Sequence, residues 1–169
     1  MPDCSQVGFA RIFAILAHLR VQQGSGNAGC TSHSQEALPM RPTVLIVDDD
    51  EAITQQLFWT LSEDYEVVTA NDMQTAARRA RIYEPDVAIL DLHFPPTLDS
   101  PEVGLRILDF LKAHVPQSRV VVISSANDIE SQKACYDRGA DEFFDKPFDT
   151  EKLLATMRRL APLRQMDFG

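Results

Sequence analysis

Thr43-Val44-Leu45-Ile46-Val47-Asp48-Asp49-Asp50 is a run of five β-branched or aliphatic residues closed by three acids. The run does not alternate polar with apolar, so it reads as a strand buried on both faces, the kind found in parallel sheets with helices above and below. Asp86-Val87-Ala88-Ile89-Leu90-Asp91 repeats the form, and Phe143-Phe144-Asp145-Lys146-Pro147 ends a third apolar segment with an acid and a lysine.

Outward from these runs, strand and helix alternate with short connections. Thr43 to Val47 is the first strand, and Glu51 to Leu61 carries a helical stripe at Ile53, Leu57, Phe58 and Leu61. Glu66 to Thr69 is a second strand. Asp72 can cap a helix that reaches Ile82, with Ala76, Ala77 and Ala80 small enough to pack closely on a sheet. Val87 to Leu90 is followed by a helix over Glu102 to His114, stopped before Pro116. Arg119 to Ile123 is the most continuous β-branched run. Asp128 can cap a helix to Arg138, Gly139 suits a left-handed position after it, and Asp149 or Thr150 caps a last helix through Leu160.

Five buried-type strands, each followed by a helix, predict an α/β fold with a doubly wound parallel sheet, helices on both faces and right-handed crossovers. In such sheets ligands bind outside the carboxyl ends of the strands at the topological switch point. Asp48, Asp49, Asp91, Ser124 and Lys146 all fall at those ends.

The chemistry of that edge follows from its charge. Two carboxylates 4 Å apart repel by about 4 kcal/mol at an effective dielectric near 20, and one ammonium cannot balance three acids. A hard, oxygen-only donor set without imidazole or thiolate favours Mg²⁺ or a similar cation over zinc. A carboxylate at the centre of such a site, Asp91, can act as a nucleophile toward a phosphoryl donor, with Ser124 able to donate to the attached oxygens.

Composition sets the outer limits. The chain has 169 residues, 44% of them hydrophobic, which suffices for one domain with a real core and not comfortably for two. A net charge of -9 argues against direct nucleic-acid binding, which needs clustered Lys and Arg. Cys4, Cys30 and Cys135 form no C-x-x-C pair, so no disulfide framework or zinc knuckle is indicated and a reducing cytoplasm fits best. No apolar run approaches the roughly 20 residues that a membrane span needs.

Residues 1–40 differ in character from the rest. Phe9, Ile12, Phe13, Ile15, Leu16 and Leu19 fall on helical spacing, and Gly24-Ser25-Gly26-Asn27-Ala28-Gly29 reads as a flexible linker. The expectation is a poorly ordered N-terminal extension with a short amphipathic helix, then the folded domain at 41–163 and a tail at 164–169. A translation start at Met40 would give a complete domain, whereas a signal peptide is disfavoured by Asp3 and the lack of a small-residue cleavage site.

From about Thr43 to Leu160 these residues resemble the receiver domain of two-component response regulators. The resemblance rests on Leu45-Ile46-Val47-Asp48-Asp49, Pro85-Asp86-Val87-Ala88-Ile89-Leu90-Asp91-Leu92, Val122-Ile123-Ser124-Ser125-Ala126, Gly139-Ala140-Asp141 and Lys146-Pro147-Phe148, all in order. It implies a flavodoxin-like sheet of strand order 2-1-3-4-5. It implies that Asp91 accepts a phosphoryl group from a histidine kinase or phosphotransfer protein, and that Asp49 and Asp91 ligate Mg²⁺, with Asp48 acting through water and the backbone carbonyl of His93 completing the protein ligands. Lys146 and Ser124 would engage the phosphoryl group, and Ser124 and Phe143 would be the switch residues. The family reading is of a signalling protein rather than an enzyme, single-domain with no output module, acting on an unknown downstream protein; it leaves homodimerisation on phosphorylation open.

Other readings stand beside these. Asp50 is expected to open the first helix as a solvated acid, the His93 side chain to be an exposed loop histidine that modulates access, Cys135 to be inert, and Phe143 alternatively to be plain core. The stretch Leu92 to Val103 is longer than the family's usual loop, and Ser125 stands where Ala or Gly is common, which narrows access to Asp91. Two alternatives remain: a receiver-like binding module independent of phosphorylation, and a haloacid-dehalogenase-type phosphatase. Asp48-Asp49-Asp50-Glu51-Ala52 offers the latter's two acids but not its final Thr or Val.

Overall fold

The structure, a computed structural model, describes residues 41–94, 101–125 and 129–162, all within one compact unit. The expected N-terminal helix, the Asp128 cap, most of the long loop after Asp91 and the C-terminal tail lie outside the described residues. The elements run β1 (Thr43–Val47), α1 (Glu51–Leu61), β2 (Glu66–Ala70), α2 (Met73–Tyr83), β3 (Val87–Leu90), α3 (Glu102–His114), β4 (Arg119–Ser124), α4 (Ile129–Asp137), β5 (Glu142–Asp145) and α5 (Thr150–Leu160).

The five strands form one parallel sheet in the order β2-β1-β3-β4-β5, as the resemblance implies. Val44 pairs with Val67 on one side and Val87 on the other, and Leu90 pairs with Val122. Strand side chains alternate between two cores, which explains why no polar alternation is visible in the sequence. Leu45, Val47, Ala88, Leu90, Val120 and Val122 pack with Ala76 and Ala80 of α2, Ile107, Leu108 and Leu111 of α3, and Cys135 of α4. Val44, Ile46, Val87, Ile89, Val121 and Ile123 pack with Leu57 and Leu61 of α1 and Leu153 and Met157 of α5.

The helix starts explain how the chain turns at the strand ends. Asp50 caps α1, its carboxylate accepting from Ala52 N at 2.8 Å and Ile53 N at 3.4 Å, so it opens this helix as expected. Asp72 accepts from Thr75 N at 2.8 Å, and Asp149, rather than Thr150, caps α5 through Glu151 N at 2.9 Å. Gly139 adopts φ +91° after α4, a left-handed conformation that a Cβ would strain. Two strands extend one residue beyond the sequence expectation, β2 to Ala70 and β4 to Ser124. The second extension matters because it places Ser124 on the ladder opposite Asp145 rather than in a loose connection.

Away from the carboxyl ends, Asp141 fastens three elements. It accepts from Lys112 Nζ at 2.8 Å, Arg119 at 2.9 Å and Val120 N at 2.8 Å, tying the end of α3 and the start of β4 to the entry of β5. Burial alone would push its carboxyl up, but these donors together hold it below the ordinary carboxylate value.

Candidate functional site

Each acid of the candidate site is placed by the strand that precedes it. Asp48 follows β1 and is held by its own N–H, which donates to the Ala70 carbonyl at 3.1 Å. Its side chain is 4% exposed, so both oxygens need partners. Oδ1 accepts from Asp50 N at 2.8 Å and Oδ2 from Lys146 Nζ at 2.9 Å. Asp91 follows β3, its N–H donating to the Val47 carbonyl at 2.9 Å. Its Oδ1 accepts from Leu92 N at 2.7 Å, with His93 N at 3.4 Å, and its Oδ2 accepts from Lys146 Nζ at 3.0 Å.

One ammonium therefore bridges two buried carboxylates. Lys146 is brought there by the end of β5, where its own N–H donates to the Ser124 carbonyl at 2.8 Å. The electrostatics are asymmetric. Burial pushes the Asp48 carboxyl above its ordinary value and outweighs what Lys146 and the Asp50 N–H return. Burial disfavours the Lys146 ammonium too, but its hydrogen bond and attraction to Asp48, joined by those to Asp91, raise its pKa overall. A single cation shared between two acids is itself secured while leaving Asp48 under-compensated.

Half-buried Asp49 completes the cluster: one carboxylate oxygen from each of Asp48, Asp49 and Asp91 lies within 4.8 Å of the others. The donor set is oxygen only, and the upward push on Asp48 marks room for further positive charge. These features fit Mg²⁺, which prefers carboxylates, keeps several waters and binds phosphate oxygens.

The remaining predicted residues fall around this cluster. Ser124 is fully buried at the end of β4, and its Oγ is hydrogen-bonded to His93 Nδ1 at 3.1 Å. His93 is half-buried rather than exposed, because its ring turns toward β4. Phe143 is buried in the core formed with α2, α3 and α4, Ser125 is exposed, and Cys135 is buried in the same core as Phe143.

Two contributions went unread in the sequence. Leu92 N–H is the closest donor to Asp91, and backbone donors leave no residue-type signal. Gly104 lies in the first turn of α3, where an added Cβ would meet Leu92 Cα at 2.4 Å and the Asp91 carbonyl at 2.8 Å. A glycine early in an otherwise apolar-periodic helix was the available clue to that close approach.

Against known proteins, residues 44–158 match the response regulator receiver domain family. The chain belongs to that family. Among curated relatives, it is 33% identical over 120 residues to the transcriptional regulatory protein KdpE of Staphylococcus aureus, covering 70% of this chain and 49% of that protein. It is 34% identical over 133 residues to the response regulator MprA of Mycolicibacterium vanbaalenii, covering 78% and 54%. The receiver domain of NtrX from Brucella abortus superposes with a TM-score of 0.62 at 31% identity, covering 69% of this chain and 96% of that domain. The chain thus spans about half the length of the curated regulators it matches. As a receiver it is a component of two-component signalling, and among its described residues no helix is long and apolar enough to cross a membrane.

Proposed function

We propose that this receiver takes a phosphoryl group onto Asp91 from a histidine kinase or phosphotransfer protein and changes its protein contacts in response. The observation that carries the reading is the Lys146 ammonium spanning Asp48 and Asp91 at 2.9 and 3.0 Å, with Asp49 close enough to share a cation. In the transfer, an Asp91 carboxylate oxygen attacks phosphorus while the bond from phosphorus to the donor's nitrogen breaks, its electron pair staying on that nitrogen. Asp48, Asp49, Asp91 and the His93 backbone carbonyl would hold Mg²⁺, which when bound supplies positive charge to the phosphoryl oxygens.

The chain's own residues then have distinct tasks. Lys146 releases part of its bond to Asp91 and pairs with a phosphoryl oxygen. Ser124 offers its hydroxyl to another, and Phe143 repacks in the space that Ser124 leaves, a local change read out on the outer surface. The proposal includes residues 41–163 as the receiver, 1–40 as an extension, a cytoplasmic location, and a response made through the receiver's own protein contacts. Catalysis is confined to its own phosphorylation and dephosphorylation.

Incubation with acetyl phosphate and Mg²⁺, followed by intact-mass and peptide analysis, tests the reading. An acid-labile phosphoryl adduct on Asp91, absent in Asp91→Asn, is the expected result. No adduct on Asp91, or turnover of phosphate monoesters that depends on Asp48, would sink it.

A further inference from the structure

Resting on the phosphoacceptor reading, we propose that the His93 imidazole is a latch that holds the Ser124 hydroxyl in the unphosphorylated form and sets how readily the site accepts a phosphoryl group. His93 follows Asp91 by two residues, and its N–H faces Asp91 Oδ1 at 3.4 Å. Its ring instead reaches the neighbouring strand, where Nδ1 meets Ser124 Oγ at 3.1 Å. Ser124 is 0% exposed, so in this form its hydroxyl meets protein groups rather than bulk water.

A hydroxyl has one proton and two acceptor positions. If the ring carries its proton on Nε2, Nδ1 takes the Ser124 proton, and the hydroxyl has none to give a phosphoryl oxygen. If the proton is on Nδ1, the ring donates to Oγ. In the first tautomer that bond must break for the hydroxyl to serve the phosphoryl group; in the second the hydroxyl keeps its proton, and the bond resists only the movement of Oγ away from the ring. His93 is therefore a positioning residue: it acts through Ser124, and breaking its bond is part of the work of switching. A net hydrogen bond of ordinary strength corresponds to about a three- to tenfold effect on affinity.

Titration calorimetry with beryllofluoride and Mg²⁺ on the full chain reads this directly, with Asp91→Asn as the blank. His93→Ala is expected to bind about three- to tenfold more tightly than the wild type. His93→Asn, whose amide can still bond to Oγ, is expected to return toward wild-type affinity. In a Ser124→Ala background, His93→Ala is expected to have no further effect, which a purely structural role of the loop would not produce. Unchanged or weaker binding by His93→Ala, or an equal gain in both backgrounds, overturns the latch. Failure of the wild type to bind beryllofluoride would overturn the phosphoacceptor reading itself, so the two failures are distinguishable.

Discussion

Gly104 packs against Leu92 so closely that its backbone N–H donates to the Leu92 carbonyl at 3.3 Å and a methyl group in its place would stand 2.4 Å from the Leu92 Cα. Leu92 in turn donates to Asp91. The first turn of α3 is thus a backstop for the peptide that orients the Asp91 carboxylate, and helix α3 has no side-chain cap of its own to compensate.

Replacing Gly104 by Ala must move backbone, not a flexible side chain. Gly104→Ala is expected to destabilise the protein by about 1 to 3 kcal/mol, as overpacking does. Because the displaced group is Leu92, phosphoryl uptake should slow as well. Urea denaturation and acetyl phosphate labelling of the same sample check both effects; a normal labelling rate in a destabilised variant would separate the glycine from the site.

Lys146 is the only cation bonded to Asp48 and Asp91 among the described residues. Lys146→Met leaves two buried carboxylates facing each other, and the loss is expected near about 3 kcal/mol, the low end for a broken buried pair because the lysine is partly exposed. Adding Asp48→Asn to Lys146→Met should recover much of that stability, since one of the repelling charges is gone. Thermal melts of the three proteins without Mg²⁺ check the order.

The fold was legible because its signals are additive along the chain: five apolar runs, the caps Asp50, Asp72 and Asp149, and Gly139 each agree with the same alternating pattern. The acids and Lys146 were legible for a related reason, since a strand end fixes where its next residue goes. What the sequence hid is contact across elements. The turn of the His93 ring onto Ser124, the closeness of Gly104 to Leu92 and the triple bonding of Asp141 depend on how loops from different strands meet. No residue type or spacing encodes that directly, although the Gly139-Ala140-Asp141 motif had marked Asp141 without giving its task.

Asp141 offers a pH-dependent test away from the site. Its folded carboxyl lies below the ordinary value of 3.8, so the folded protein prefers the charged form more strongly than the unfolded chain does. Its contribution is complete above the unfolded value and fades as pH falls through the lower folded value. Asp141→Ala, which leaves Val120 N without its acceptor and takes the carboxylate away from Lys112 and Arg119, is expected to cost about 1 to 3 kcal/mol at neutral pH. The gap between wild type and variant should narrow in acid. Denaturant titrations at neutral pH and at successive values below 4 measure it; a gap that is constant or that widens in acid would contradict the assignment.

The upward push on Asp48 predicts how the protein responds to a divalent cation. Burial disfavours this carboxylate and Lys146 offsets that only in part, so added positive charge should stabilise the folded state and not the unfolded chain. Mg²⁺ at a hundred times its dissociation constant is expected to add about 2.7 kcal/mol, with a melting temperature that keeps rising with metal concentration. Asp49→Asn removes one negative charge from the cluster without touching the Lys146 bridge, and it should strongly weaken the Mg²⁺ response while leaving the metal-free melting temperature close to that of the wild type. Because Asp48 must be charged to draw the cation, the Mg²⁺ response should weaken as pH falls through its raised value. Differential scanning calorimetry across Mg²⁺ concentration and pH checks each part, and a wild-type melting temperature indifferent to Mg²⁺ would show that the three acids do not form a metal site.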